Sequence, residues 1–554
     1  MIKMTGGQAL ARQLAAEGVD TVFGLPGVQI MAAFDALYDL REQVRLVHVR
    51  HEQATTYMAF GYAATTGKPG VAMVVPGPGA LNAAAGLGTA YACSQPVLLI
   101  SGQVPSGALG KRQGQLHEVD DQLDVFRPIT KWVRRVTKVA EIPEAVHEAF
   151  HQLKTGRPRP VELEVPPDTL LAQAEAELIE PEEYPKPASK AADIRRAAAI
   201  LADADRPVIF AGGGVVTAGA SEELVALAVL LQAPVLTSRQ AKGAIPGGHE
   251  LSLGTYYAQV SPAPKVVPEW DAILAVGTRL TVDGMQLRPG QKLVHIDIDP
   301  DTIGKNFPAE VGIVSDAKLA LAALLKRLRS AHGEVFEPQV GVGHAPPQAQ
   351  AERRAEIEGY KRSFEDGLRR LAPEQTAMLD AVRAELDDGD ILVSGMTNVG
   401  YWAHLHYPAR LPRTYLTSSY FGTLGYAFPA SLGAKVAMPD RRVVSLNGDG
   451  GFMFNAQELS TAAAYGINAV AVVFNNGAFG ASRWDQTHRF GQRFIGTELR
   501  NPDFVKLAAA FGVKGIRTEP DGLGRALRGA LAADAPALIE VPVPNMMPPF
   551  QLVK

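Results

Sequence analysis

One βαβ unit can be read between Val443 and Asn476, and it restricts what the surrounding chain can be. The stretch VVSLNGDGGFMFNAQELSTAAAYGINAVAVVFNNGA holds an apolar run at 443–446 and then the turn Asn447-Gly448-Asp449-Gly450-Gly451. A helical stretch ending near Gly466 follows, then a second apolar run at 469–474 and Asn475-Asn476. Short apolar runs joined through a helix read as parallel strands, because a parallel pair needs a long crossover and that crossover is right-handed. Both carboxyl ends then lie on one edge of the sheet, where open α/β folds place their ligands. Asp449 and Asn476 are therefore expected to be neighbours.

The residue types at that edge define a chemistry. Asp449 offers a carboxylate oxygen and Asn476 an amide oxygen, hard ligands suited to Mg²⁺, which takes few protein groups and completes its octahedron with substrate phosphates. Gly448, Gly450 and Gly451 let the backbone approach a phosphate, and the start of the following helix adds unpaired N–H groups. Either fragment alone reads as an ordinary surface turn; the two framing one unit read as a diphosphate held through a metal.

GDGG followed by Asn475-Asn476 at the next strand tip resembles the signature of thiamin diphosphate enzymes. The resemblance reaches both ends of the chain, through TGGQALARQLAAEGVDTVFGLPG, RHEQATTYMAFGYAATTGKPGV and FGTLGYAFPASLGAKVA, and is closest to the acetolactate synthase, benzaldehyde lyase and pyruvate oxidase group. It implies metal ligation by Asp449, Asn476 and the backbone carbonyl of Ala478, and cofactor contacts from Gly448, Gly450 and Gly451. It also implies that Glu52 activates the cofactor: a carboxyl bonded to the aminopyrimidine ring favours the tautomer that removes the thiazolium proton. Without the resemblance, Glu52 is a helix-start acid facing the dipole. Leu424 stands where the family supports the bend of the cofactor with a bulky apolar side chain, and Gly422 would offer its carbonyl to the amine.

Substrate-side positions depart from these relatives. In GQLHEVDDQLDVFRPITKW, His117 occupies the place of an active-site glutamine. It reads either as a group titrating near neutrality that shuttles a proton or orients a substrate carbonyl, or simply as a replacement hydrogen-bond donor. Gln29, in GLPGVQIM, stands where benzaldehyde lyase has histidine. Trp484 lies near the tryptophan with which acetolactate synthases choose a second oxo acid, and Arg483 could pair with a substrate carboxylate. TYYAQVSP and GTRLTVDG replace, respectively, the flavin segment and a substrate-binding run of those synthases. FAD is thus weakly indicated, since the turn Gly212-Gly213-Gly214 could contact a nucleotide but reads more simply as a structural turn.

The expected architecture is α/β with three domains, each a parallel sheet covered by helices. The pyrimidine-binding domain spans 1–170, with a capping box at Thr5 and Gln8 and strands at 45–49, 71–75 and 97–100. An acidic, Pro-containing linker at 174–190 leads to a middle domain at 190–335, ended by GEVFEPQVGVGHAPPQAQ and a charged helix at 351–371. The diphosphate- and Mg²⁺-binding domain spans 375–554. With 554 residues and 47% apolar content there is material for several cores. A net charge of −4 gives no electrostatic footprint for nucleic acid or an anionic membrane. The lone Cys93 suits a reducing compartment, and MIKMTGGQAL lacks the charged-then-apolar order of a secretion signal, so a cytoplasmic protein is expected.

The function these readings imply is thiamin diphosphate- and Mg²⁺-dependent formation or cleavage of a C–C bond, most nearly that of an acetolactate synthase, which decarboxylates a 2-oxo acid such as pyruvate and joins the remainder to a second carbonyl. The family's sharing of one glutamate across subunits implies a homodimer or homotetramer. The alternatives are an aldehyde or 2-hydroxyacyl lyase of the benzaldehyde lyase type and a catalytically silent scaffold.

Overall fold

The computed structural model describes residues 1–256, 267–281, 287–330 and 347–549. Strand β1 (Ile2–Thr5) precedes a helix at Gly6–Ala16 whose start is closed by reciprocal bonds between Thr5 and Gln8, the capping box read from the sequence. The first sheet is built from β2 (Thr21–Gly24), β3 (Arg45–His48), β4 (Gly70–Val74), β5 (Val97–Gly102), β6 (Trp132–Arg135) and β7 (Val161–Val165), in the order β3-β2-β4-β5-β7-β6. Strand β8 (Gln173–Ala176) pairs antiparallel with β1. The start of the stretch expected to be a linker is therefore a strand. Backbone pairing needs no apolar pattern, and only Ala176 of that strand is buried.

The middle sheet contains β9 (Pro207–Ala211), β10 (Val235–Thr237), β11 (Ser252–Thr255), β12 (Ala272–Val276), β13 (Lys292–Asp297) and β14 (Val311–Val314), ordered β11-β10-β9-β12-β13-β14. The third holds β15 (Ile391–Ser394), β16 (Tyr415–Thr417), β17 (Val443–Gly448), β18 (Ala469–Asn475), β19 (Lys514–Arg517) and β20 (Ala537–Pro542), ordered β16-β15-β17-β18-β20-β19. All three are six-stranded, and they are parallel and flanked by helices as expected. Their strands are apolar on both faces because helices cover both faces: β17 and β18 are buried along nearly their whole length. The charged helix spans Pro347–Leu371. Most of TYYAQVSP, the end of GTRLTVDG and most of GEVFEPQVGVGHAPPQAQ lie outside the described residues.

The first and third domains share one apolar core, running from Phe23, Val47, Tyr57 and Phe60 to Tyr426, Phe428, Phe452 and Val473. Its axis is the contact between the helices Glu52–Thr66 and Ala427–Ala437. A Cβ on Gly61 would fall 2.0 Å from the Ala430 carbonyl oxygen, and one on Gly433 would fall 2.0 Å from the Met58 carbonyl oxygen. The two backbones touch, so the catalytic candidate at the start of one helix is rigidly tied to the other domain.

Lys242 joins the middle and third domains. Its Nζ donates to the His404 carbonyl at 3.1 Å and to Thr255 Oγ1 at 3.4 Å, over the Tyr415 ring. Burial pulls its pKa down to about 7 from 10.5. The folded chain then binds fewer protons here than the unfolded chain, so the charge opposes folding fully below about pH 7, and this opposition fades as the pH rises toward 10.5. Melting temperatures measured from pH 7 to about pH 10 should rise for the native protein relative to Lys242→Met. Parallel curves would contradict a buried ammonium.

Candidate active site

Strand β17 ends at Gly448, and Asp449 opens a single helical turn, Asp449–Phe452, at the point where the strand order of the third sheet reverses between β15 and β17. A Cβ on Gly448 would meet Thr397 of the β15 loop at 3.2 Å, so this is the crevice that such sheets use for ligands. The helical stretch expected to end near Gly466 consists of three short pieces: this turn, a 3₁₀ turn at Ala456–Glu458 and a helix at Leu459–Tyr465. The glycines and the buried Asn455 interrupt it, whereas Gly466, at φ +59°, ends it where the sequence indicated.

Asp449 and Asn476 are neighbours. Asn476 Oδ1 faces two other oxygens, 2.8 Å from the Ala478 carbonyl and 3.2 Å from Asp449 Oδ1. Three oxygens at this spacing repel one another unless a cation lies among them or the amide turns its nitrogen inward. The separations match the edge of an octahedron with Mg–O distances of about 2.1 Å, an edge of roughly 3 Å. These residues fit the metal in kind and in spacing. Burial pushes the Asp449 carboxyl above its ordinary value, opposed by Asn501 and by the N–H groups of Gly450, Gly477 and Ala478.

Asn501 escaped sequence reading. Its Nδ2 donates to Asp449 Oδ2 at 2.7 Å and to Asn475 Oδ1 at 2.9 Å, and Asn475 donates to Glu540 at 2.8 Å. It sits in RNPDF, which reads only as a turn. Leu424 borders the metal motif: a Cβ on Gly451 would lie 3.9 Å from Leu424 Cδ2, whereas one on Gly450 would strike Phe479 at 2.6 Å. Gly422, at φ +64°, precedes it beside Met396.

Glu52, Gln29 and His117 gather at the carboxyl edge of the first sheet. Glu52 is the first residue of its helix, capped by His51, and accepts a hydrogen bond from Asn82 at 3.0 Å. Gly79 lies beside it, and Gly77 passes so close to His117 that a Cβ would fall 2.5 Å from the His117 carbonyl oxygen. Gln29 donates to the Leu116 carbonyl at 3.1 Å. His117 Nδ1 and Gln29 Oε1 are buried without partners, which leaves two polar atoms free for a ligand. Among the described residues, no hydrogen bond joins Glu52 to Asp449, Asn476 or Ala478. Arg483 is engaged, paired with Glu498 at 3.0 Å and lying over Phe494, and Trp484 stacks on His488 at 4.2 Å. The Gly212 turn backs onto the Gly277 carbonyl at 2.0 Å from a would-be Cβ, which accounts for its first glycine. Gly213 and Gly214 line a cavity of about 670 Å³ with Arg157, Arg239 and Arg279, a lining that includes no residue of 448–478.

Residues 4–125, 194–324 and 395–541 match, in turn, the N-terminal TPP binding domain, the central domain and the C-terminal TPP binding domain of the thiamine pyrophosphate enzymes. The chain is 37% identical to a probable acetolactate synthase large subunit of Methanocaldococcus jannaschii, over 97% of this chain and 92% of that protein. The chain belongs to the thiamin diphosphate enzyme family. It is an enzyme of the acetolactate synthase-like group, and the two names, diphosphate and pyrophosphate, denote one cofactor. It is also 36% identical to the acetolactate synthase large subunit of Corynebacterium glutamicum, over 93% of this chain and 82% of the relative. A probable 2-ketoarginine decarboxylase of Pseudomonas aeruginosa is 37% identical, over 97% and 94%. Among the described residues, no helix is long and apolar enough to cross a membrane.

Proposed function

We propose that this thiamin diphosphate enzyme uses Mg²⁺, decarboxylates a 2-oxo acid such as pyruvate and ligates the remaining carbons to a second carbonyl, as a cytoplasmic homodimer or homotetramer. The observation that carries the metal and diphosphate assignment is the convergence of Asp449, Asn476 and Ala478 oxygens beside Leu424 and Gly451. When bound, the thiazolium ring takes up the electron pair released with CO₂. The chain's own residues do the rest: Asp449, Asn476 and the Ala478 carbonyl hold the metal, the backbone from Gly448 to Gly451 admits the diphosphate, and Leu424 and Gly422 fix its bend. Glu52 holds a proton at the far end of the cofactor. As in the family, where the glutamate of one subunit serves the cofactor held by another, a second copy supplies Glu52 across the interface. His117 and Gln29 face the substrate with the unpaired Nδ1 and Oε1.

A second reading, decarboxylation that ends by protonation and releases an aldehyde, is favoured by His117 in place of glutamine and by the decarboxylase among the relatives. Incubation of the protein with pyruvate, thiamin diphosphate and Mg²⁺ separates the cases. CO₂ release with acetolactate is the expected result. Acetaldehyde alone would select the second reading, and inertness to pyruvate with cleavage of an acyloin would select a lyase.

A further inference from the structure

The turn that carries Glu52 is gripped from the other end of the chain. Glu458, fully buried in the 3₁₀ turn that follows the metal motif, accepts the Arg50 N–H at 3.1 Å on each carboxylate oxygen and the His51 N–H at 3.1 Å. The Thr461 hydroxyl completes its shell at 2.5 Å. Asn455, also fully buried, donates to Gln53 Oε1 at 3.2 Å and to the Gly425 carbonyl at 2.8 Å. The peptide units just before Glu52, the side chain just after it and the backbone next to Leu424 are thus bonded to one short segment that begins three residues past the Asp449–Phe452 turn.

We propose that Asn455 and Glu458 are positioning residues, an interdomain clasp that sets the direction in which Glu52 leaves its turn toward the cofactor it serves. This rests on the role proposed for Glu52. A buried carboxylate is costly, and an apolar side chain would fill the same volume, but it would strand the Arg50 and His51 N–H groups where the helix begins. Here the cost is offset chiefly by hydroxyl and backbone donors, those of Arg50 and His51 belonging to another domain. Burial nonetheless pushes the Glu458 pKa up to about 7. Contacts on both sides of Glu52 act on the direction of its Cα–Cβ bond, and a displacement of about 1 Å in a proton-transfer group costs on the order of a hundredfold in rate.

The test uses the full-length protein and three measurements: steady-state kinetics, calorimetric binding of thiamin diphosphate with Mg²⁺, and hydrogen exchange of the amides at 50–53 without cofactor. Glu458→Ala should lower kcat about 10- to 100-fold, leave KM and the cofactor Kd within about threefold, and accelerate exchange at Arg50 and His51. Glu458→Gln, whose carbonyl oxygen still accepts both N–H groups while its NH₂ meets the Thr461 hydroxyl, should restore most of the rate. Asn455→Ala should move kcat in the same direction by less. Unchanged kcat and exchange in Glu458→Ala, or loss of cofactor binding in step with the rate, would overturn the clasp. If Glu458→Ala does not fold, Asn455→Ala decides: wild-type kcat there would overturn it. Failure of the native protein to bind thiamin diphosphate would instead defeat the role of Glu52, while exchange at 50–51 would still report the clasp.

Discussion

Glu52→Gln is expected to leave the protein folded and able to bind thiamin diphosphate while turnover falls by about 10² to 10⁴, the usual scale for removal of a proton-transfer group. The substitution isolates chemistry from structure. Glutamine matches glutamate in shape, its carbonyl can still accept from Asn82, and the adjacent Gly79 is not crowded further. The helix start is capped by His51 rather than by Glu52, so the N-terminal turn stays closed. What is lost is a carboxyl that can hold and release a proton. Steady-state kinetics with a melting curve check the expectation, and near-normal turnover in a folded variant would refute the assignment.

Asp449→Ala should abolish Mg²⁺-dependent cofactor binding, weakening it by at least about 100-fold, since even supporting residues of metal sites are worth roughly 10- to 100-fold in affinity. Alanine removes one of three converging oxygens and leaves Asn476 and Ala478 unable to enclose a cation. The fold should survive, because Asn501 keeps its bond to Asn475 and no buried charge is left unpaired. Calorimetry with and without Mg²⁺ is the direct measurement; binding at native strength would show that the cluster is not the metal site.

Much of the architecture was legible because parallel sheets covered on both faces demand nearly continuous apolar strands, and these punctuate the chain plainly. The βαβ unit from β17 to β18 is the clearest instance: strand ends and a right-handed crossover are enough to bring Asp449 beside Asn476. Gln173–Ala176 was not legible as a strand, since its pairing with Ile2–Thr5 spends backbone bonds that leave no trace in side-chain pattern. The division of the stretch after Asp449 into three pieces was hidden as well: Asn455 and Glu458 find their partners, Gln53, Gly425, Arg50 and His51, outside it.

The sequence by itself determined the α/β class, the three helix-covered parallel sheets, the family and the residue types that a metal-bound diphosphate requires, all of which depend on local pattern and short spacing. Only the tertiary structure decided that Asn501 braces Asp449, that Arg483 is already paired with Glu498, that Gly61 and Gly433 let two helices touch, and that Glu458 grips the turn before Glu52. The reason is physical: these contacts join residues far apart in the chain through hydrogen bonds and backbone proximity, and their energy depends on where folding places each donor and acceptor, not on which neighbours the chain gives it.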